Sequence, residues 1–362
     1  MPMQAIERVR QWVRYGRAQA DAGGLPLMRQ WLEIAALLAM GGNGPGYYYL
    51  AGFARPEIDW SAKCAHLGER AYLRAVRRLN DSRYAKLSQH KLSEKAVLSM
   101  MGVPTPLFLG FFHPQVGQTF RHEPLATLDD LDRFVQTSAS DRFCIKLAEG
   151  SGGAGFQAFQ RRRDRDRWVL YALEDGNRVE PETLYERLMA DYAATGEGLL
   201  IEEYLDQHPV LSALSRSSVN SVRLWVVIDP DGRVRHPLAF LRMGRGASLV
   251  DNRSRGGLVA PVDVHTGRLS DAFDGYPSRM AFEAHPDTGA RINGVELPDW
   301  RRALDLGERA VRLFPGISFA GVDIAFTQWG PVLLELNVEP DRTGAAITGV
   351  PSGRALFPRG HA

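Results

Sequence analysis

Apolar residues recur at three- and four-residue steps from the N-terminus to about residue 80, the period of helices that bury one face. The string GGNGPG at 41–46 interrupts that period, and Tyr47-Tyr48-Tyr49-Leu50 follows it. Lys86 to Met101 repeats the helical spacing until Gly102, Pro104 and Pro106 stop it. Beyond that point the texture changes. Short apolar runs near 107–112, 143–147, 199–204, 222–228, 237–242, 319–326 and 332–338 predict strands. Helices are predicted between them at about 127–137, 182–194 and 299–313, the first opened by Thr127 with Asp130 three residues on. No segment repeats at a fixed period. The pattern predicts an α+β body, residues 86–362, behind a helical N-terminal extension, residues 1–85.

Composition narrows the classes. The 362 residues suggest two or three folding units, and 44% hydrophobic with 24% charged residues excludes disorder and a disulfide scaffold. A net charge of +2 gives no whole-molecule attraction to nucleic acid, so no such partner is expected. Cys64 and Cys144 lack the paired spacing of a zinc module and fit a cytoplasmic location. The N-terminus has no continuous apolar h-region, so it does not read as a signal peptide. The longest apolar stretch, Trp31 to Met40, contains Glu33 and covers about half of the ~20 residues a membrane span needs. No membrane span is expected.

The most informative segment is FAGVDIAFTQWGPVLLELNVEP, residues 319–340. A turn at Gln328-Trp329-Gly330, with Gly330 left-handed, makes a hairpin. Val322 then faces Leu336, Ile324 faces Leu334, and Phe326 faces Val332, giving an apolar face. The other face sets Asp323 opposite Glu335, with Asn337 further along the same strand. Opposed Cβ atoms lie about 4.5–5.5 Å apart. Two carboxylates that close repel each other unless a cation sits between them, and oxygen ligands of this kind suit Mg²⁺. Pro331 cannot donate a hydrogen bond next to the turn, which makes an irregular loop possible. The alternative is a solvated hairpin with its acids outside; the polar face repeated in both strands favours the metal.

Phe143-Cys144-Ile145-Lys146-Leu147 reads as a strand, followed after Ala148-Glu149 by GSGGAG at 150–155. Glycines here let backbone N–H groups approach an anion, and Lys146 adds a charge at the strand end. Gly150, Gly152 and Gly155 also match the dinucleotide pattern GxGxxG. However, FQAFQ alternates after the loop like a strand, where that motif requires a helix. A Walker A loop fails because Phe156 and Gln157 stand where Lys and Ser/Thr belong. The remaining readings are a plain hairpin turn and a loop that closes over phosphates.

Arg223 lies on the strand face opposite Val222, Leu224, Val226 and Ile228, and Arg242 ends the next strand. Two guanidiniums near the acidic hairpin suit a carboxylate or a transferring phosphoryl group; singly, each reads as a surface ion-pair residue. LLIEEYL at 199–205 is an apolar strand ending in acids, a type of segment able to bind adenine and ribose. The basic run RRRDRDR at 161–167 lacks aromatic interleaving and reads as a solvated hairpin.

In order, these elements resemble the ATP-grasp superfamily: a helix-start lysine, a strand lysine before a glycine loop, an EEYL hinge, a strand arginine, and an acid followed by E-x-N. More closely, the chain resembles the sugar-transfer-associated ATP-grasp family, which is alpha-L-glutamate ligase-like and found near polysaccharide genes. The marks are QHPVLSALSRSSVNSVR at 207–223, DNRSRGG at 251–257, HPDTG at 285–289 before LPDW, and GPVLLELN at 330–337. They run from about residue 30 to 350. The resemblance implies an ATP-grasp fold, two α+β subdomains gripping ATP. Residues 140–206 would form the ATP-binding subdomain with a glycine-rich flap, and 207–350 the metal- and substrate-binding subdomain. It also implies roles. Lys91 and Lys146 bind phosphates, and Gly150, Ser151, Gly152, Gly153 and Gly155 cover the β/γ end. Glu202, Glu203 and Leu205 hold adenine and ribose. Asp323, Glu335 and Asn337 bind two Mg²⁺ ions, for which Mn²⁺ is an acceptable substitute. Arg223 and Arg242 meet the γ-phosphate or acyl phosphate and, with Lys146 on the α- and β-phosphates, serve catalysis. Two departures stand out: His90 where the family often has Asp, and Ser221 in place of Thr. The residue that binds ribose after the hinge is open, with Gln207 and His208 in its neighbourhood.

The implied activity is an ATP-dependent carboxylate–amine ligase with ATP and Mg²⁺ as cofactors and small-molecule carboxylate and amine partners. A kinase that phosphorylates a hydroxyl, and a nucleotide-binding regulatory module without turnover, are the alternatives. The sequence leaves the oligomeric state open.

Overall fold

The computed structural model describes residues 2–150, 152–251, 256–274 and 279–358. Ser151 of the glycine loop and residues 252–255 of the DNRSRGG string lie outside the described residues. Two antiparallel sheets carry the chain. The first has seven strands in the spatial order Gln118–Thr119, Phe108–Phe112, Leu199–Glu203, Arg142–Leu147, Gln157–Asp164, Arg167–Ala172 and Arg178–Val179. Alternation along these strands sends Phe112, Phe143, Ile145 and Ile201 to one face. There they pack against Leu131 and Phe134 of the helix Leu128–Thr137 and Leu184 and Leu188 of Pro181–Thr195. Thr127 and Asp130 form the expected reciprocal cap. The opposite face, with Cys144, Lys146, Leu200 and Glu202, looks into a cavity.

The second sheet runs Ala281–Phe282, Ala272–Asp274, Leu258–Val262, Ala239–Met243, Ser221–Ile228, Phe319–Thr327 and Gly330–Asn337, with Val234–Arg235 paired beside Ser221–Ile228. Both its faces are covered. Leu224 and Val226 meet Ala303, Leu306 and Ala310 of the helix Trp300–Arg312. That approach is close, since a Cβ on Gly307 would lie 2.9 Å from Leu224 Cδ2. On the other face Trp225, Val227 and Phe319 meet Tyr72 and Val76 of the helix Glu69–Leu79.

The helices predicted before residue 80 are present, at Pro2–Asp21, Leu27–Gly41, Pro45–Leu50, Trp60–Cys64 and Glu69–Leu79. Trp12, Ile34, Leu37, Tyr47, Tyr48, Tyr49 and Phe53 make a core of their own, which reaches Ala346 of the helix Thr343–Thr348. Within it Lys63 pairs with Glu33 at 2.6 Å and the Tyr48 hydroxyl donates to the same carboxylate at 2.7 Å. The burial of that charge is therefore compensated. No helix among the described residues is long and apolar enough to cross a membrane.

Two local expectations are corrected. The helix expected over 86–101 is two helices, Ala85–Gln89 and Lys91–Met100. His90 leaves the helical conformation, and its Nδ1 accepts the Ser93 N–H at 3.2 Å, so an imidazole cap restarts the helix at Lys91. The basic run is a hairpin, but Arg161 is inside: it donates to Val135 O at 2.7 Å, Ser138 O at 2.8 Å and Asp141 Oδ1 at 2.9 Å.

Candidate active site

The hairpin pairs Asp323 with Glu335 and Val322 with Leu336, as the sequence pattern requires. Nearer the turn the register differs. Ile324 faces Leu333, Ala325 faces Val332, Phe326 faces Pro331, and Thr327 faces Gly330. The loop therefore has two residues, Gln328 and Trp329, and a bulge at Leu334 takes up the extra one. Pro331 explains the shift. In a two-residue loop Thr327 and Gly330 form the hydrogen-bonded pair, so the next residue points its nitrogen away from the partner strand. A proline at that position of an edge strand gives up no ladder bond. Gly330 takes φ +124, and a Cβ there would come within 2.8 Å of the Arg302 guanidinium. The bulge also turns Leu334 away from the apolar face. It lines the cavity beside Glu335, a position that strict alternation hides.

That cavity, about 290 Å³, is walled by both sheets, the helix Lys91–Met100 and the glycine loop. It gathers Lys91, Lys146, Gly150, Gly152, Gly153, Glu202, Glu203, Leu205, Arg223, Arg242, Asp323, Glu335 and Asn337. Gly155 is not part of its lining. At φ +66, with a built Cβ 2.9 Å from Leu147 Cγ, it folds the loop onto the strand that carries Lys146. Lys91 ties the loop to the helix start: its N–H donates to Ala148 O at 2.8 Å, and its ammonium donates to Gly150 O.

Three strands set a row of charges across the floor. Arg223 is the register partner of Asp323, which is the register partner of Glu335. Asp323 accepts from Arg223 Nε through Oδ1, and from Arg223 Nη2 and Arg242 Nη2 at 2.9 Å each through Oδ2. Burial opposes the charge on Asp323, but the two guanidiniums outweigh it and hold the carboxyl below its ordinary value. Arg242 also donates to Ser221 Oγ at 2.7 Å. Asp251 accepts both the Ser221 N–H, at 3.0 Å, and its hydroxyl. The hydroxyl that Ser221 shares with threonine is thus what the position uses.

Above the floor, Glu202 is 1% exposed and its carboxylate bridges Lys146, at 2.6 Å, and Lys95. Burial disfavours that charge, yet Lys146 and Lys95 pull the carboxyl down to about 2. Sequence reasoning missed Lys95, although its place one helical turn after Lys91 puts both on one side of the helix. It also missed Glu94, whose carboxyl burial and the nearby Glu335 push well above the usual range. Gln207 is wholly engaged, donating to Ser215 O and Ser218 O and accepting from Asn220. His208 caps the helix Pro209–Leu214, and neither residue lines the cavity.

No group of three or more His, Cys, Asp or Glu able to hold a metal occurs among the described residues. The donor set on the cavity floor is two carboxylates and an amide, all hard oxygens, with Glu335 and Asn337 the more open pair because both Asp323 oxygens already accept from guanidiniums. Such a set fits Mg²⁺ when phosphate and water complete the octahedron.

The family described as sugar-transfer associated ATP-grasp matches residues 71–362. No curated protein matches the chain. Similar solved structures include a D-alanine–D-alanine ligase from Bacillus anthracis, at 14% identity over 75% of this chain and 65% of that one, with a TM-score of 0.39. A biotin carboxylase from Campylobacter jejuni is 12% identical over 75% of this chain and 46% of that one, with a TM-score of 0.44. The ATP-grasp ligase PsnB, complexed with a precursor variant, Mg and ADP, is 17% identical over 83% and 70%, with a TM-score of 0.41. The chain thus spans less than two thirds of the first two. The family match takes in both sheets and every residue that lines the cavity, and the chain belongs to the sugar-transfer-associated ATP-grasp family.

Proposed function

We propose that this protein is an ATP-dependent carboxylate–amine ligase working through an acyl phosphate, on a sugar-linked acid or an amino acid. One observation carries the reading. Two lysines and a glycine loop face a row of arginine, aspartate and glutamate across one cavity, a layout suited to triphosphate and to an anionic acceptor. Lys91 and Lys146 take the phosphates, residues 150–155 cover them, and the hinge at Glu203 and Leu205 holds adenine and ribose, whereas Glu202, expected in the same set, is taken up by Lys146 and Lys95. Asp323, Glu335 and Asn337 would hold Mg²⁺, which neutralises charge on the phosphates when bound. Arg223 and Arg242 face the γ-phosphoryl group. The substrate carboxylate attacks the γ-phosphorus, the bond to ADP breaks, and an acyl phosphate forms. The amine then attacks the acyl carbon, phosphate leaves, and the amine gives up a proton. The protein contributes position and charge, which is most of what phosphoryl transfer requires.

The test is release of ADP and phosphate over a panel of acids crossed with amines. Turnover that needs both partners and is lost in a folded Glu335→Gln variant supports the ligase. A phosphorylated product formed without an amine replaces it with a kinase. Saturable nucleotide binding with no turnover leaves a regulatory module.

A further inference from the structure

The strand Gly330–Asn337 is the edge of its sheet, so its outward N–H groups have no neighbouring strand to meet. Pro331 has none to offer. Leu333 donates to Pro104 O at 2.9 Å, and Leu336 donates to Glu94 Oε1 at 2.8 Å. The second bond is the unusual one. Its acceptor is a side chain 242 residues away, on the first turn of the helix that Lys91 begins. Glu94 is 3% exposed, lines the cavity, and its Oε2 is buried without a partner among the described residues. Leu336 stands between Glu335 and Asn337, just past the bulge that interrupts the ladder at Leu334.

We propose that Glu94 is a positioning residue: by accepting the Leu336 N–H it sets Glu335 and Asn337 at a defined distance from the helix carrying Lys91. The inference rests on the reading of Glu335 and Asn337 as Mg²⁺ ligands. A bulged edge strand is held by its ladder on one side only, so its outer side needs a second fixed point. Glu94 supplies that point from the same helix that supplies a phosphate lysine. Metal ligands and phosphate lysine therefore move as one unit. Removing the acceptor leaves a buried N–H unpaired, and the strand relaxes to find another partner. Displacing a ligand by about 1 Å is enough to weaken a site built on geometry.

The test is binding of a non-hydrolysable ATP analogue by calorimetry, titrated with Mg²⁺, for wild type, Glu94→Gln, Glu94→Leu and Glu335→Gln. Glutamine keeps an oxygen acceptor of the same reach, so Glu94→Gln should need no more than about twice the wild-type Mg²⁺. Glu94→Leu keeps the volume and loses the acceptor. It should need at least tenfold more Mg²⁺, with analogue binding in EDTA unchanged. A merely structural role would lower the melting temperature and leave the Mg²⁺ requirement alone. Wild-type behaviour of Glu94→Leu, or equal damage in Glu94→Gln, overturns the proposal. If Glu335→Gln also titrates normally, the Mg²⁺ reading falls and this proposal with it; if Glu335→Gln loses the response while Glu94→Leu keeps it, this proposal alone falls. Should Glu94→Leu not fold, hydrogen exchange at the Leu336 amide of the wild type decides. Strong protection that persists in Glu94→Gln supports the bond, and exchange at the rate of a free edge amide refutes it.

Discussion

Asp323 is the residue on which the charges of the cavity converge, because three strands bring Arg223, Arg242 and Glu335 to it. Its carboxylate is the anion that Arg223 pairs with, and it shares Arg242 with Asp251, which lies 3.5 Å from the Arg242 guanidinium. Under the proposed ligase reaction Arg223 would have a second task at the γ-phosphoryl group, where charge develops during transfer. An interaction stronger in the transition state appears in kcat rather than in ATP affinity. Arg223→Lys and Arg223→Ala should both lower kcat by about 10²-fold, with ATP affinity changed only a few-fold. Calorimetry beside ADP-release kinetics checks this, and a loss confined to affinity moves Arg223 to ground-state binding. Glu202 makes a pH prediction. Its folded-state value of about 2 lies below the ~4.3 of a free glutamate, so the folded chain binds fewer protons in that window. The stability it contributes is present above about pH 5 and is lost as pH falls toward 2. Glu202→Gln leaves Lys95 and Lys146 without their counter-charge, at a cost of about 3–5 kcal/mol near neutrality. Denaturant unfolding across pH should show the two proteins converging in acid; parallel curves would contradict the pairing.

Among elements, the glycine loop and the hairpin each turn on a single backbone demand. The sequence placed a strand on both sides of the loop, and both are present at Arg142–Leu147 and Gln157–Asp164. Which glycines matter is a question of packing. Gly152 and Gly155 both have positive φ, but a Cβ on Gly152 meets open space while one on Gly155 meets Leu147. Alanine at either carries a left-handed penalty of about 1–2 kcal/mol, and only Gly155→Ala adds a collision. Limited proteolysis with and without MgATP should show nucleotide protection of this loop in wild type and Gly152→Ala, and less in Gly155→Ala. Protection by NADH in place of MgATP would restore the dinucleotide reading. In the hairpin, the pairs at Asp323 and Val322 were legible because one face is wholly apolar. The bulge was not, since Leu334 suits a core as well as a cavity wall.

At the scale of the whole molecule, the N-terminal helices are bound into the sheet that carries the site. Asn80 donates to Phe319 O at 2.7 Å and to Val338 O at 2.5 Å, and accepts from the N–H groups of Ser318 and Phe319. Tyr72 donates to Pro340 O at 2.8 Å. One asparagine thus clamps the start of one floor strand and the end of the other. Asn80→Ala should destabilise the chain by about 2–3 kcal/mol, because buried backbone groups lose their partners. Urea unfolding measures it, and a change below about 0.5 kcal/mol would show that the clamp is replaceable. A chain begun at residue 86 would expose Trp225, Val227 and Phe319 on the face that Tyr72 and Val76 cover. It should aggregate more readily than the full chain, and a monomeric, cooperatively folding fragment would argue for an independent N-terminal unit.

The amino-acid order by itself determined what depends on near neighbours. Helical period, strand alternation, the Thr127 cap, the glycine loop after a strand lysine, and Asp323 opposite Glu335 all follow from interactions within a few residues or across one short turn. The ordered motifs also carried the family resemblance. Tertiary structure alone decided which residues of separate elements share a charge. Lys95 meets Glu202, Asp251 meets Ser221, Glu94 meets Leu336, and Arg161 turns inward, through contacts that span 20 to 242 residues in sequence. A buried ion pair or edge-strand acceptor depends on distance and desolvation in three dimensions, and neither has a period that a linear pattern can reveal.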